Sequence, residues 1–226
     1  MYRNCLKRVF DFCCSLLAII VLSPFLLIFM ILGTFFMKGN PFFTQPRPGK
    51  DEKIFKLIKF RTMSNAKDKN GNLLPDDQRL NAYGKFLRST SVDELPELIN
   101  ILKGDMAVIG PRPQLVRDMV FMSDEQRRRH SVRPGLSGLA QVNGRNVITW
   151  EDKLNWDLKY IEKITFLGDV KIIFETLDKV FKRADINREG TASDMDFGDY
   201  LLAKGEVGKE EYDMKQAEAK ELLRRG

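Results

Sequence analysis

The fold is decided by the uncharged stretch FCCSLLAIIVLSPFLLIFMILGTFFM, which spans residues 12–37. As one straight helix these 26 residues would be roughly 39 Å long, more than the ~30 Å that a bilayer's hydrocarbon core requires. The stretch is too long for the apolar region of a signal peptide, and Gly39-Asn40-Pro41 after it offers no small-residue cleavage site. The sequence therefore predicts a retained membrane segment.

Ser23-Pro24, at the middle of this stretch, raises the question of whether the helix spans the membrane or re-enters it. Proline removes a backbone donor and clashes with the preceding turn, so a break is expected there. Basic residues flank both ends, which conflicts with the positive-inside preference of a single span. They are Arg3, Lys7 and Arg8 before the stretch and Lys38, Arg47, Lys50 and Lys53 after it. A hairpin broken at Ser23-Pro24 and a spanning helix with a mild kink both remain open from the residues alone.

The composition outside this stretch excludes several classes of protein. Among 226 residues, 30% are charged and 43% hydrophobic, which argues against a disordered chain and against a polytopic membrane protein. The net charge of +6 favours anionic partners such as phosphates or acidic lipid headgroups. All three cysteines lie within the first 14 residues, and His130 is the only histidine. A disulfide framework, a cysteine zinc site and a multi-histidine metal site are therefore excluded.

Residues 40–190, which we call the polar body, are predicted to form one domain. Residues 53–61 have the β-branched and aromatic character of a strand, and residues 96–102 predict a short helix ending at Gly104. Residues 118–130 predict a charged helix. Two amphipathic helices are expected over 150–164 and 169–183, packed in the core or lying at a membrane interface.

The C-terminal residues 191–226 predict a polar tail. From about Tyr200 onward, Lys and Glu alternate with few apolar residues, which is typical of a solvated helix or a frayed end.

Asp93-Glu94 is the best carboxylate pair for chemistry. A structural alternative exists, because Ser91-x-x-Glu94 matches a helix capping box. Arg88 just before the pair favours function, as does the start of a helix, whose free backbone donors suit phosphate. Arg112 lies between two prolines, which would present its planar fork at low entropic cost. The glycine-rich loop over 133–146 adds Arg133 and Arg145, and its alternative is turn chemistry without a ligand.

Other chemistry-bearing patterns are weaker or missing. Asp194-Met195-Asp196 has the spacing of a metal-binding acidic pair, but no strand precedes it, and Asp76-Asp77 lies beside a turn. Both are interpreted as solvated acids. The chain has no Gly-rich phosphate loop, and a serine triad would have to use His130 without a nucleophile motif.

Six ordered motifs carry a resemblance to a known family. Together with the proline-containing hydrophobic N-terminus, they resemble the bacterial sugar transferases called monotopic phosphoglycosyl transferases, in their short PglC-like form. Similarity to that form suggests a UDP-linked N-acetylated amino sugar, such as diacetylated bacillosamine, as the donor. The resemblance covers roughly residues 1–190. The motifs are Lys59-Phe60-Arg61-Thr62-Met63, Leu87-Arg88-Ser89, Asp93-Glu94-Leu95-Pro96, Leu102-Lys103-Gly104-Asp105-Met106, Gly110-Pro111-Arg112-Pro113 and Arg133-Pro134-Gly135-Leu136-Ser137-Gly138.

The resemblance implies a reaction and roles for these residues. The family transfers a sugar 1-phosphate from a UDP-sugar to undecaprenyl phosphate with Mg²⁺ and releases UMP. Asp93 would be the covalent nucleophile, and Glu94 would assist proton transfer or position the metal. A carboxylate can form an acyl phosphate, and cations must offset its repulsion from an anionic diphosphate. The expected phosphate- or nucleotide-binding cations are Lys59, Arg61, Arg88, Arg112, Arg133 and Arg145.

The resemblance also implies an architecture. It predicts an α/β fold with predominantly helical content, in which residues 1–39 form a re-entrant membrane hairpin broken at Ser23-Pro24. A catalytic domain over 40–190 would lie on the cytoplasmic face of the bacterial inner membrane, with interfacial amphipathic helices. Asp157 and Asp169 match family positions and carry over only weakly, as metal ligands or structural carboxylates.

Two other classes of function compete with this interpretation. A non-catalytic scaffold that binds acidic lipids would share the basic, membrane-anchored character of the chain. A nucleic-acid-binding protein would explain Arg127-Arg128-Arg129, but the chain lacks an aromatic-interleaved basic motif and carries a hydrophobic anchor. Nucleic acid is therefore not an expected partner, whereas membrane lipids are.

Overall fold

The computed structural model describes residues 2–144, 148–182 and 195–225. Within these ranges the fold is α/β and predominantly helical, which confirms the predicted class, and it contains two small two-stranded sheets. The helices are α1 (Lys7–Phe36), α2 (Asp76–Arg79), α3 (Ala82–Thr90), α4 (Glu97–Lys103), α5 (Val116–Met119), α6 (Asp124–Arg127), α7 (Leu139–Val142), α8 (Trp150–Glu162), α9 (Phe166–Lys182), α10 (Phe197–Lys204) and α11 (Lys209–Arg225). The strands are β1 (Phe42–Pro48), β2 (Ile54–Phe60), β3 (Ala107–Ile109) and β4 (Gly135–Ser137).

The apolar helix α1 is continuous through Pro24. The expected break into two helices at Ser23-Pro24 is therefore not present. Proline deprives a helix of only one hydrogen bond, and apolar helices tolerate such a loss. The Ser23 hydroxyl donates a hydrogen bond to the Ile20 carbonyl and keeps the preceding turn closed.

Both halves of α1 pack against the rest of the chain. Near its start, the Lys7 ammonium lies 2.6 Å from the Asp169 carboxylate, and the Asp11 carboxylate accepts a hydrogen bond from the Val108 backbone. Near its end, the Tyr83 hydroxyl donates to the Phe29 carbonyl. The other side of the helix is uncovered apolar surface. It includes Leu17, Ile20, Val21, Phe25, Ile31 and Phe35.

Strands β1 and β2 form an antiparallel hairpin in which Phe42 pairs with Phe60. The predicted strand over 53–61 is thus confirmed as β2. The Asn100 side chain ties α4 to this hairpin, because its amide nitrogen donates to the Lys56 carbonyl and its oxygen accepts from the Ile58 backbone. Lys59 on β2 is therefore held at a fixed position relative to α4.

Helices α3 and α4 meet at a sharp corner. Gly84 on α3 lies so close to the segment that follows β2 that a Cβ there would be 1.9 Å from the Thr62 carbonyl oxygen. The predicted short helix over 96–102 is confirmed as α4, and it ends at Gly104 in the left-handed conformation with φ 94°. The corner between the two helices is the turn Val92–Glu94, entered through Ser91 at φ 56°.

The single helix predicted over 118–130 is wrong. The chain forms α5, then α6, then a 3₁₀ turn over Arg128–Ser131. Helix α6 restarts at a capping box in which the Ser123 hydroxyl accepts from the Gln126 backbone and the Gln126 side chain accepts from the Ser123 backbone. The capping pattern Ser-x-x-Gln is visible in the sequence and marks this restart.

Residues 195–225 pack against the body rather than forming a solvated tail. Helices α10 and α11 cover a buried cluster that joins them to α5 and α8 and includes Trp150, Phe121 and Phe197. Gly198 lies against the Phe121 ring, where a Cβ would be 2.5 Å from a ring carbon. The predicted tail is therefore helical, as one alternative had it, but part of the folded body.

Candidate active site

Asp93 and Glu94 lie in the corner between α3 and α4 rather than at a helix cap. The Ser91 side chain makes no capping hydrogen bond, and α4 begins at Glu97 with Pro96 before it. The Ser91 backbone donates instead to the end of α3. The capping-box alternative is therefore not realised, and the Glu94 side chain is available for other contacts.

The Glu94 carboxylate is held by two cations. The Lys59 ammonium donates to its Oε1 at 3.0 Å, and the Arg112 guanidinium donates to the same oxygen at 2.5 Å. Lys59 also pairs with Glu97 at 3.1 Å, and Glu97 is only 2% exposed. Strand β2, helix α4 and the Pro111-Arg112-Pro113 loop thus meet in one charge network. Glu97 was not singled out from the sequence, because its burial depends on how α4 packs.

This network gives different proton affinities to the carboxylates of Asp93 and Glu94, which we call the dyad. Burial raises the pKa of Asp93 to about 6, and neighbouring Glu94 adds to the rise while Lys59 and Arg112 oppose it. Burial alone would also raise the pKa of Glu94, but Arg112 and Lys59 hold it well below its usual range. Two adjacent carboxyls with pKa values pushed apart are typical of a catalytic site.

A cavity of about 580 Å³ opens beside the dyad. This volume lies within the range of small-molecule sites. Most of the predicted site residues line it, namely Lys59, Arg61, Arg88, Asp93, Glu94, Arg112 and Asp157. The Arg112 side chain is 38% exposed, so its fork can meet a ligand while its backbone carbonyl accepts from buried Arg129.

Two other predicted residues, Arg133 and Asp169, do not line the cavity. Arg133 points its Nε at the Gly104 carbonyl, which makes it a brace for the end of α4. Asp169 is fully buried against the start of α1, where Lys7, Tyr2 and Tyr160 all donate to it. For Asp169 the geometry therefore favours the role of a structural carboxylate over that of a metal ligand. Arg145 lies outside the described residues.

Asp157 lines the cavity but is held as a structural carboxylate. Its Oδ2 accepts from Nε and a terminal nitrogen of Arg129, at 2.9 and 2.6 Å. Both side chains are at most 2% exposed. A metal-ligand role for Asp157 would have to displace or share this buried ion pair.

The donor set around the dyad fits a magnesium ion that also binds substrate phosphate. Within 2–144, 148–182 and 195–225, no three His, Cys, Asp or Glu side chains converge on one point. Mg²⁺ commonly uses one or two carboxylates and completes its shell with phosphate and water. Both cations that contact Glu94 reach Oε1, so Oε2 of Glu94 and the carboxylate of Asp93 could supply those ligands.

The C-terminal segment adds cavity residues that the sequence interpretation missed. Met195 and Asp196 line the cavity just before α10, together with Trp150, whose Nε1 donates to the Met195 carbonyl. Asp196 forms an ion pair with Arg117 and is not a solvated acid. Asp194 lies outside the described residues. This segment reaches the site only because α10 packs against the body, so no local sequence pattern predicts its position there.

The sequence profile of the family described as bacterial sugar transferase matches residues 2–183. The chain belongs to the bacterial sugar transferase family. The family inferred from the ordered motifs is thereby confirmed, and the match ends before the segment that carries Met195 and Asp196.

Three named relatives show which proteins this bacterial sugar transferase is similar to. It is 45% identical to the "uncharacterized sugar transferase EpsL" of Bacillus subtilis, over 77% of this chain and 87% of the relative. It is 40% identical to the "UDP-glucose:undecaprenyl-phosphate glucose-1-phosphate transferase" of Klebsiella pneumoniae, over 77% of this chain but 40% of the relative. It is 33% identical to the "undecaprenyl-phosphate galactose phosphotransferase" of Salmonella typhimurium, over 79% of this chain and 41% of the relative.

Proposed function

We propose that the chain transfers a sugar 1-phosphate from a UDP-sugar to undecaprenyl phosphate, releasing UMP. The observation that carries the proposal is the Asp93-Glu94 corner. One carboxylate there is clamped by two cations, while Asp93 accepts no hydrogen bond from any described residue, and both line a cation-rich cavity. The names of the Klebsiella and Salmonella relatives support the substrate classes.

Asp93 is suited to act as the nucleophile. Its pKa of about 6 leaves it mainly ionised near neutral pH, yet makes it more basic than an ordinary aspartate. A carboxylate oxygen of Asp93 attacks the β-phosphorus of the donor. The new oxygen–phosphorus bond forms as the bond to the bridging oxygen breaks, and UMP leaves with that electron pair.

The second half of the reaction restores the carboxylate. An oxygen of undecaprenyl phosphate attacks the same phosphorus, the bond to Asp93 breaks, and the product is the undecaprenyl diphosphate sugar. Lys59, Arg88 and Arg112 would offset the negative charge on the phosphoryl oxygens through both steps. Mg²⁺, when bound at Asp93 and Glu94, would supply further charge neutralisation on those oxygens.

The exposed apolar surface of α1 and α9 supports a membrane-facing side of the protein. The outward side of α1 is continuous with α9, since Phe166 of α9 contacts the rings of Phe10 and Tyr2 at 5.4 and 5.7 Å. Along α9, Leu167 is 77% exposed and Phe174 is 67% exposed. We infer that α1 is inserted from one face of the bilayer without crossing it, because both of its halves contact the body. Helix α9 would lie at the interface, with the catalytic domain on the cytoplasmic face, where nucleotide sugars are made.

The sugar remains open within this proposal. The relatives are named for glucose and galactose, whereas the resemblance of the short form implies diacetylated bacillosamine and protein glycosylation. A screen of UMP release across UDP-sugars, with undecaprenyl phosphate in detergent, would select among them.

The decisive experiment is Asp93→Asn in that assay. The amide cannot act as the anionic nucleophile, so UMP release should be lost. The variant should remain at least as stable as the wild type, because the raised pKa shows that burial disfavours the ionised form of Asp93. Asp213→Asn on exposed α11 is the matched control and should keep full activity. Near-normal turnover by Asp93→Asn at equal expression would overturn the covalent mechanism, and no turnover by the wild type with any UDP-sugar would favour the scaffold alternative.

A further inference from the structure

The cavity has two walls of different chemistry. One wall carries the cations that surround the dyad, including Lys59, Arg88 and Arg112. The other is built from α7, α8 and the segment before α10, and we call it the Gln141 wall, after a residue that no motif assigned a role. It contains Gln141, Trp150, Lys153, Asp157, Met195 and Asp196.

Gln141 is the unexplained residue of this wall. Its side chain is buried, with 9% of the residue exposed, and neither its amide nitrogen nor its amide oxygen has a hydrogen-bond partner among the described residues. Buried side-chain amides are nearly always paired, because an unpaired one costs free energy of folding. An exception that lines a cavity suggests that the partner is a ligand.

Asp157 offers a second unpaired acceptor on the same wall. Arg129 holds its Oδ2 in place, while Oδ1 is buried and has no partner in the part of the chain that the structure describes. Helix α8, which carries Asp157, packs directly against α7, which carries Gln141. The wall thus combines a donor, an amide acceptor and a carboxylate acceptor on two contacting helices.

We propose that the Gln141 wall is a subsite for a neutral amide or imide group of the donor substrate, a proposal that rests on the function proposed above. Such a group presents both N–H and C=O, which the Gln141 amide can pair with reciprocally, while the Asp157 carboxylate accepts from a hydroxyl of the adjoining ribose or sugar. The cation-lined wall suits a phosphate better, because the Gln141 wall places Lys153 beside the carboxylates of Asp157 and Asp196. Two parts of a nucleotide sugar carry this chemistry, namely the pyrimidinedione ring of uridine and an acetamido group on the sugar.

The proposal predicts that affinity and stability change in opposite directions in Gln141→Met. Methionine has a similar length and needs no hydrogen bonds, so removal of two unpaired atoms should leave the unfolding midpoint unchanged or higher. The same change should weaken donor binding by roughly tenfold or more, because the ligand's amide is then left unpaired. A glutamine that serves only the fold would give a lower midpoint and unchanged binding.

The test measures binding of UMP, UDP-glucose and UDP-N-acetylglucosamine by calorimetry to the full detergent-solubilised chain, with thermal unfolding alongside. Equal weakening for all three assigns the subsite to the base. Weakening for UDP-N-acetylglucosamine alone assigns it to the sugar's acetamido group. Gln78→Met is the matched control, because Gln78 is exposed and does not line the cavity, unlike Asp76 and Arg79 on the same helix.

Unchanged affinities in Gln141→Met would overturn the subsite while leaving the proposed function intact. Weaker binding together with a lower unfolding midpoint would also overturn it, because the amide would then support the fold. Absence of nucleotide binding by the wild type would instead count against the proposed function itself.

Discussion

Lys59 distributes charge around the dyad. Its single ammonium lies 3.0 Å from Glu94 and 3.1 Å from Glu97, whereas Arg112 forms an ion pair with Glu94 and acts on Glu97 from a greater distance. Burial works against the Lys59 ammonium, yet Glu94 and Glu97 together hold its pKa above its ordinary value. Glu97 is the less well compensated carboxylate, and burial raises its pKa to about 7. The site therefore keeps Glu94 ionised, whereas Glu97 binds a proton more readily than an ordinary glutamate does.

Glu97→Gln should reduce the pH dependence of stability. A carboxyl whose pKa is about 7 in the folded state and about 4.5 in the unfolded state binds more protons when folded. The wild type should consequently lose stability as the pH rises from 4.5 to 7, by up to about 3 kcal/mol. The glutamine variant has no such proton to lose, so its unfolding midpoint should fall less between pH 5 and pH 8.

Glu125→Gln is the control for that measurement, because Glu125 is exposed on α6. It should follow the wild-type pH profile. A Glu97→Gln profile that also follows the wild type would mean that Glu97 is ionised in the folded protein throughout this range.

Arg112→Lys should lower kcat/KM for UMP release by more than tenfold. Lysine keeps the charge but loses the fork, so it cannot hold Glu94 and a phosphate oxygen at once. Arg128→Lys, at an exposed position away from the cavity lining, should leave kcat/KM unchanged. An unchanged kcat/KM in Arg112→Lys would show that Arg112 contributes only its positive charge.

At the scale of elements, the structure follows the sequence where local chemistry is sufficient. Strand β2 and helix α4 were predicted because β-branched residues, Pro96 and Gly104 determine them locally. The restart at Ser123 was missed although its capping box is local. The packing of α10 and α11 could not be predicted, because their few apolar residues are recognised as a face only when α5 and α8 are in place.

Phe197→Ala should destabilise the chain by about 3–5 kcal/mol, since Phe197 is 2% exposed and packs against Trp150 at 5.0 Å between ring centres. The measurement is chemical unfolding in detergent. Leu223→Ala, with Leu223 41% exposed on α11, should cost far less. Equal and small losses would indicate that the C-terminal helices are dispensable for folding.

At the scale of the whole molecule, the membrane helix and the polar body form one unit. Polar contacts tie the start of α1 to Asp169 and Val108, and Tyr83 ties its second half to α3. A helix that crossed the bilayer would have to take one of these ends, with its partners, to the opposite side. The proline pattern and the flanking charges left this choice open, because neither encodes which residues of the body the helix contacts.

Thiol labelling can test the topology with a cysteine already present. With Cys13 and Cys14 replaced by alanine, exposed Cys5 reports the side on which α1 starts. Cys5 should resist a membrane-impermeant reagent in intact spheroplasts and react after lysis. A chain with all three cysteines replaced and Asp213→Cys added reports the side of the body, and it should behave identically. Labelling of Cys5 from outside would show a spanning helix.

The contact between Lys7 and Asp169 also has a consequence for the order of events during synthesis. Its two residues are 162 positions apart, so at ribosomal rates of 5–20 residues per second Asp169 is made roughly 10–30 s after Lys7. During this interval α1 is already long enough to enter the lipid, while the polar partners of its first turn do not yet exist. Asp11, one turn along the helix and 3.6 Å from the Lys7 ammonium, offsets that charge in the meantime. The nascent enzyme is therefore committed to its membrane before its catalytic body closes onto the helix.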